Sequence, residues 1–115
     1  MSNEFLDYIE DILDAMEKAS ILVEGISYDT FASDFRIHFA VAHALHIIGE
    51  ATKRLPLHIR EAYPEIPWRG MAGMRDRIAH GYDRVDLQIV WDVIARDFPQ
   101  IRPQLEQILQ GYASD

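Results

Sequence analysis

The chain contains no cysteine, which excludes disulfides, thiolate metal sites and a thiol nucleophile. No stretch approaches the ~18 uninterrupted apolar residues of a membrane-spanning helix, so no membrane partner is expected. Met1-Ser2-Asn3-Glu4 has neither the basic start nor the apolar run of a secretory signal, and a cytoplasmic location is expected. Strict apolar/polar alternation, internal repeats and low-complexity tracts are also missing, which leaves helices as the regular structure. Basic side chains are in short supply, 11 against 19 acidic ones for a net charge of −8. That balance excludes general electrostatic adhesion to nucleic acid.

What is present is a chain of 115 residues with a hydrophobic fraction of 49%, enough for one domain spanning residues 1–115. Its charge is unevenly spread. Residues 1–52 hold two basic and ten acidic side chains, residues 85–115 two and five, but residues 53–84 hold seven and four. The basic set is Lys53, Arg54, Arg60, Arg69, Arg75, Arg77 and Arg84. Six arginines in seven suit local phosphate recognition, although a solvated charged surface would use the same residues.

Phe5, Ile9, Ile12, Leu13, Met16 and Ala19 recur at three- and four-residue spacing and predict an amphipathic helix from Glu4 to about Val23, stopped by Gly25. A second helix is expected from a cap at Asp29 or Thr30 to about Leu55, ahead of Pro56. Its apolar run Phe39–Ile48 places it at the centre of the core. A short helical piece at 57–62 leads through two prolines to a third main helix, from Pro67 to near Gly81 and carrying Met71, Met74 and Ile78. Asp86 should cap a fourth with a stripe of Leu87, Val90, Trp91 and Ile94, and Pro99 or Pro103 should open a last segment through Leu109. The expected fold is all-α, a bundle of four or five helices.

The densest chemistry is Arg75-Asp76-Arg77-Ile78-Ala79-His80-Gly81-Tyr82. Asp76 and His80, four apart, share a helical face on which a carboxylate can hold one imidazole nitrogen and leave the other free for proton transfer. Arg75 lies about 140° around the helix from His80. Three routes bring the two together: a bend at Gly81, the reach of a long arginine, or a two-fold axis that pairs an arginine of one subunit with a histidine of the other. An arginine and an acid–base histidine fit phosphodiester cleavage in RNA, with the 2′-hydroxyl as nucleophile and no metal or cofactor required.

Arg75-x4-His80-x-Tyr82 resembles the hallmark of the HEPN superfamily and, with its tyrosine, of the HepT toxins. Ile48-Gly49-Glu50-Ala51, Tyr63-Pro64-x-Ile66-Pro67-Trp68, Gly73-Met74-Arg75 and Val90-Trp91 extend the resemblance in order over roughly residues 40 to 95. The resemblance implies a homodimeric, metal-independent endoribonuclease toxin acting on tRNA or mRNA. Both subunits would contribute Arg75 and His80 to one composite cleft; beside it the four-residue spacing makes Asp76 the orienter of His80, and the local excess of arginine offers Arg69, Arg77 and Arg84 to bind RNA. It also implies a minimal nucleotidyltransferase antitoxin that transfers AMP to Tyr82. Many relatives have asparagine after the arginine, and Asp76 departs from that pattern.

Two other readings stay open. A catalytically silent helical module that partners a nucleotidyltransferase fits the acidic first helix. A metal site on His43, His46 and Glu50, completed by Asp7, Glu10 or Asp14, fits their helical spacing, although His38, His43 and His46 read more simply as hydrogen-bonded residues in or beside the core. Gly49 implies close approach of another helix, Glu50 a structural role beside a cleft arginine, and Trp68 and Trp91 packing anchors.

Overall fold

The computed structural model describes residues 4–81 and 85–113, apart from the side chains at 75–81, 85–86 and 113. Every regular element among these residues is helical: α1 (Phe5–Val23), α2 (Tyr28–Ser33), α3 (Phe35–Arg54), α4 (Leu57–Ala62), α5 (Trp68–Gly81), α6 (Val85–Asp92) and α7 (Phe98–Ala113). A π-helical turn, Val93–Asp97, joins α6 to α7. The all-α bundle is as the periodicity predicts.

α1 buries Phe5, Ile9, Ile12, Ala15, Met16 and Ala19 on one stripe and sends its acids to solvent. The chain turns at Gly25, whose φ of 75° is the left-handed conformation that a Cβ disfavours. The long second helix expected from residue 29 or 30 is instead two helices. Asp34 leaves the helical region at φ −104°, ψ 101°, and its carboxylate accepts from the Arg36 N–H at 3.0 Å, so it caps α3. Ser27, rather than Asp29 or Thr30, caps α2 by accepting from the Thr30 N–H at 3.1 Å.

α3 lies between α1 and α5 and packs against both. Val41, Ala44, Leu45, Ile48, Gly49, Ala51 and Thr52 form its buried face, and the Thr52 hydroxyl donates back to the Ile48 carbonyl at 2.7 Å. Only part of the apolar run is core. Phe39, His43 and His46 are exposed and His38 is half-buried. A helix pressed between two neighbours on one side shows solvent its other side, whatever residues stand there.

Leu87, Val90, Ile94, Phe98, Ile101, Leu105 and Ile108 form a single buried stripe through α6, the π turn and α7. α7 opens at Phe98 with Pro99 in its first turn, as expected, but it follows α6 without a break. Pro99 has no N–H and its ring collides with the carbonyl four residues back, so the helix widens just before it, and the Phe98 N–H reaches the Val93 carbonyl five residues away. Pro103 lies inside α7. α6 begins at Val85, one residue ahead of the expected cap at Asp86. Among the described residues no helix is long and apolar enough to cross a membrane.

Candidate active site

The helix that carries the motif is fixed at its start. Prolines at 64 and 67 keep the segment after α4 out of a helix, and the chain closes on itself through Ile66 N–H to the Tyr63 carbonyl at 3.2 Å and Trp68 N–H to the Ile66 carbonyl at 2.8 Å. The Trp68 indole N–H donates to the same Tyr63 carbonyl at 3.0 Å. Trp68, Met71 and Met74 are then buried as α5 packs on α3. Trp68 is the anchor that the sequence predicts, and Trp91, half-buried, meets Phe31 at 5.3 Å and Tyr28 at 5.8 Å between ring centroids.

The Tyr63 side chain joins this clamp to Tyr112 on α7. Burial, then the neighbouring Tyr112 and its hydrogen bond, then Glu65, push its phenol above the ordinary tyrosine range.

Arg75, Asp76, Arg77 and His80 stand on α5 in the turns up to Gly81, and the expected stop there borders residues outside the described set. Their side chains lie outside the described set, and Tyr82 and Arg84 lie outside the described residues altogether. The backbone nevertheless settles their register. α5 is helical from 68 to 81, so positions 76 and 80 share a face with 69 and 73. Position 75 instead continues the face of Met71 and Met74. Uninterrupted helix holds the Cα atoms of 75 and 80 about 9 Å apart, on different sides. No bend precedes Gly81 to bring them together within one chain.

Arg69 is exposed and borders a groove of about 530 Å³ between α5 and the α6–α7 rod, floored by Met71, Met74, Val93 and Ile101. Gly70 and Gly73 line it too, and a methyl group added at either would meet nothing within 4 Å. Through Arg69 and Gly73 one edge of this trough borders the face that carries positions 76 and 80, while its floor is the face of Met71 and Met74 that position 75 continues. The sequence signal for it, two glycines three apart inside a helix, went unused in the sequence reading.

Glu50 is half-buried and lines a separate groove of about 260 Å³ with Tyr8, His46 and Arg54, in the seam between α1 and α3. Among the described residues no three His, Asp or Glu side chains are gathered as a metal would need, so the histidine–carboxylate reading has no geometric support there. Two further features escaped sequence reasoning: the break at Asp34 and the exposed Phe35 and Phe39, whose rings meet at 5.7 Å.

An all-α bundle with an Arg-x4-His motif closing a helix that is clamped on the core defines a HEPN-type helical domain. The chain belongs to the ribonuclease HepT-like family, whose sequence pattern matches residues 12–108. It is similar to a protein of Thermococcus cleftensis named "Probable ribonuclease HepT", 39% identical over 94% of this chain and 98% of the relative. A protein of Caldanaerobacter subterraneus subsp. tengcongensis with RNase in its name is 40% identical over 90% of this chain and 92% of that protein. One of Methanocaldococcus jannaschii, also with RNase in its name, is 37% identical over 90% and 85%. No solved structure matches with significance.

Proposed function

We propose that this chain is a metal-independent endoribonuclease, the toxin of a toxin–antitoxin pair, that cleaves RNA by attack of a 2′-hydroxyl on the adjacent phosphate. The observation that carries the reading is the match to the ribonuclease HepT-like family across the whole motif helix. His80 takes the 2′-hydroxyl proton or supplies one to the departing 5′ oxygen, while Arg75 neutralises charge growing on the phosphoryl oxygens. As the 2′ oxygen–phosphorus bond forms, the bond to the 5′ oxygen breaks, leaving a 2′,3′-cyclic phosphate and a 5′-hydroxyl. Asp76, four residues before His80, orients the imidazole. Arg69, Arg77 and Arg84 hold flanking phosphates.

The register of α5 supports a dimer. Positions 75 and 80 lie on different sides of one helix, so a cleft containing both is assembled most directly from two subunits, the arginine of one beside the histidine of the other. The partner is a minimal nucleotidyltransferase that silences the toxin through Tyr82: the phenol oxygen attacks the α-phosphorus of ATP and pyrophosphate leaves. An adenylate there would place bulk and negative charge two residues from His80.

Purified protein incubated with end-labelled RNA tests the reading. Chelator-resistant fragments ending in 2′,3′-cyclic phosphate are expected, and Arg75→Ala and His80→Ala each lower the rate by at least ~100-fold with the circular dichroism spectrum unchanged. Wild-type-like cleavage by either variant removes the proposal. RNA left intact by the native protein favours the silent partner module. Tyr82→Phe should stay toxic in cells that also express a minimal nucleotidyltransferase able to silence the unaltered protein.

A further inference from the structure

The trough beside α5 has a chemistry that the cleavage step does not use. Met71, Met74, Val93 and Ile101 give it an apolar floor, and Ile89, 38% exposed, an apolar lip. Gly70 and Gly73 leave part of the α5 wall without side chains, so a flat group can lie against the helix itself. The two charged residues that line the trough stand on different walls, Arg69 on α5 and Asp97 at the close of the π turn. Both are exposed, and among the described residues neither is held in an ion pair.

The trough also has a direction. Asp97 lines a smaller hollow of about 240 Å³ together with Glu65, Pro67, Gln100 and Gln104, which puts it at the Pro67 end. The other end is Met74, one residue before Arg75. From Trp68 to Met74 is about 9 Å of helix. A group held at the motif therefore has room to extend back along α5 towards Asp97.

A nucleotide matches each part. Its base is a flat ring with apolar faces and polar edges, and its phosphate is an anion. The thioethers of Met71 and Met74 are polarisable partners for such a ring. Arg69 takes the flanking phosphate, and Asp97 would repel one, so the base rather than the backbone faces the π turn. The Asp97 carboxylate accepts hydrogen bonds and donates none. Among the four bases only guanine presents two adjacent donors on one edge, its N1–H and its amino group. Adenine and cytosine set an acceptor beside their amino group, and uracil has a single N–H between two carbonyls.

We infer that the trough is a guanine pocket: it seats the base of an unpaired guanosine beside the scissile phosphate, and Asp97 is the residue that reads it. The inference rests on the nuclease reading for its substrate, single-stranded RNA, and adds a base preference to it.

The test titrates the intact chain, isotope-labelled at its methionine methyl groups, with GMP, AMP, CMP and UMP. The Met71 and Met74 signals should move with GMP at about ten-fold lower concentration than with the other three, while Met16, buried on α1, stays still. Asp97→Asn sets a donor beside an acceptor and should move the preference to adenine or cytosine; Asp97→Ala should erase it. Neither should change the melting temperature, since the side chain is exposed. Cleavage of a random-sequence RNA by the native protein should leave guanine enriched at one fixed position beside the cut, and Asp97→Asn should exchange it for adenine or cytosine. Methionine signals that do not move, equal responses to the four nucleotides, or a guanine preference that survives Asp97→Asn overturns the assignment. So do cuts with no base bias, which leave the nuclease standing without the pocket. RNA left intact by a protein whose Met71 and Met74 still prefer GMP does the reverse, keeping the pocket and removing the nuclease.

Discussion

Asp34 decides where one helix stops and the next begins. Its carboxylate caps α3 and is held by Arg36, whose hydrogen bond lowers its pKa below the ordinary carboxylate value. A depressed folded-state pKa stabilises above the unfolded value, and that stability is lost as pH falls through the folded one. Asp34→Asn should therefore keep α3 intact near neutrality, since asparagine also caps, and should flatten the acid limb of a thermal-melt series measured against pH. An unchanged acid limb would mean that the cap contributes nothing. Trp68 acts at the same scale: Trp68→Phe removes both the indole bond to Tyr63 and part of a buried ring, and is expected to cost about 1–3 kcal/mol in a denaturant titration. The tryptophan was legible because its Pro-Trp context opens a helix. The break at Asp34 was not, since the capping preference of one aspartate is weaker evidence than the continuous apolar periodicity around it.

The motif helix holds two glycines that its fold does not need. Gly70 and Gly73 sit in helical conformation with open space where a Cβ would be, so Gly73→Ala should raise stability by up to about 1 kcal/mol. If the trough lies along the path of RNA beside positions 76 and 80, the same substitution should lower cleavage while the melting temperature rises; equal activity would clear the trough of any such part. α1, α4, α5 and the stops at Gly25 and Pro56 were readable because period, cap and breaker agree there. The junction of α6 and α7 was not. Pro99 is a breaker in sequence, but one wide turn absorbs it and keeps the stripe from Leu87 to Ile108 unbroken. Periodicity also misplaced Phe39, because an apolar residue on a helix says nothing of whether a neighbour covers it. The side chains of the site itself were named from spacing and resemblance, and the helical register of α5 is what the structure adds to them.

The bundle is elongated, 47 × 28 × 21 Å, and its first and last helices lie together. Phe5 on α1 meets Tyr112 on α7 edge to face at 5.0 Å between centroids. Tyr112 also lies beside the Tyr63 phenol, ahead of α5. Deleting residues from Tyr112 onward should therefore lower the melting temperature and, by loosening the segment before Trp68, weaken any activity carried by the motif helix; full activity in the shortened chain would uncouple the two. The meeting of those two rings has another outcome. The start of α1 and the end of α7 stand side by side, and a few linker residues between 113 and 4 would join them. New ends could then be opened at the exposed Glu24–Gly25 turn, giving a permuted chain that folds to the same bundle and frees the old junction for fusion partners.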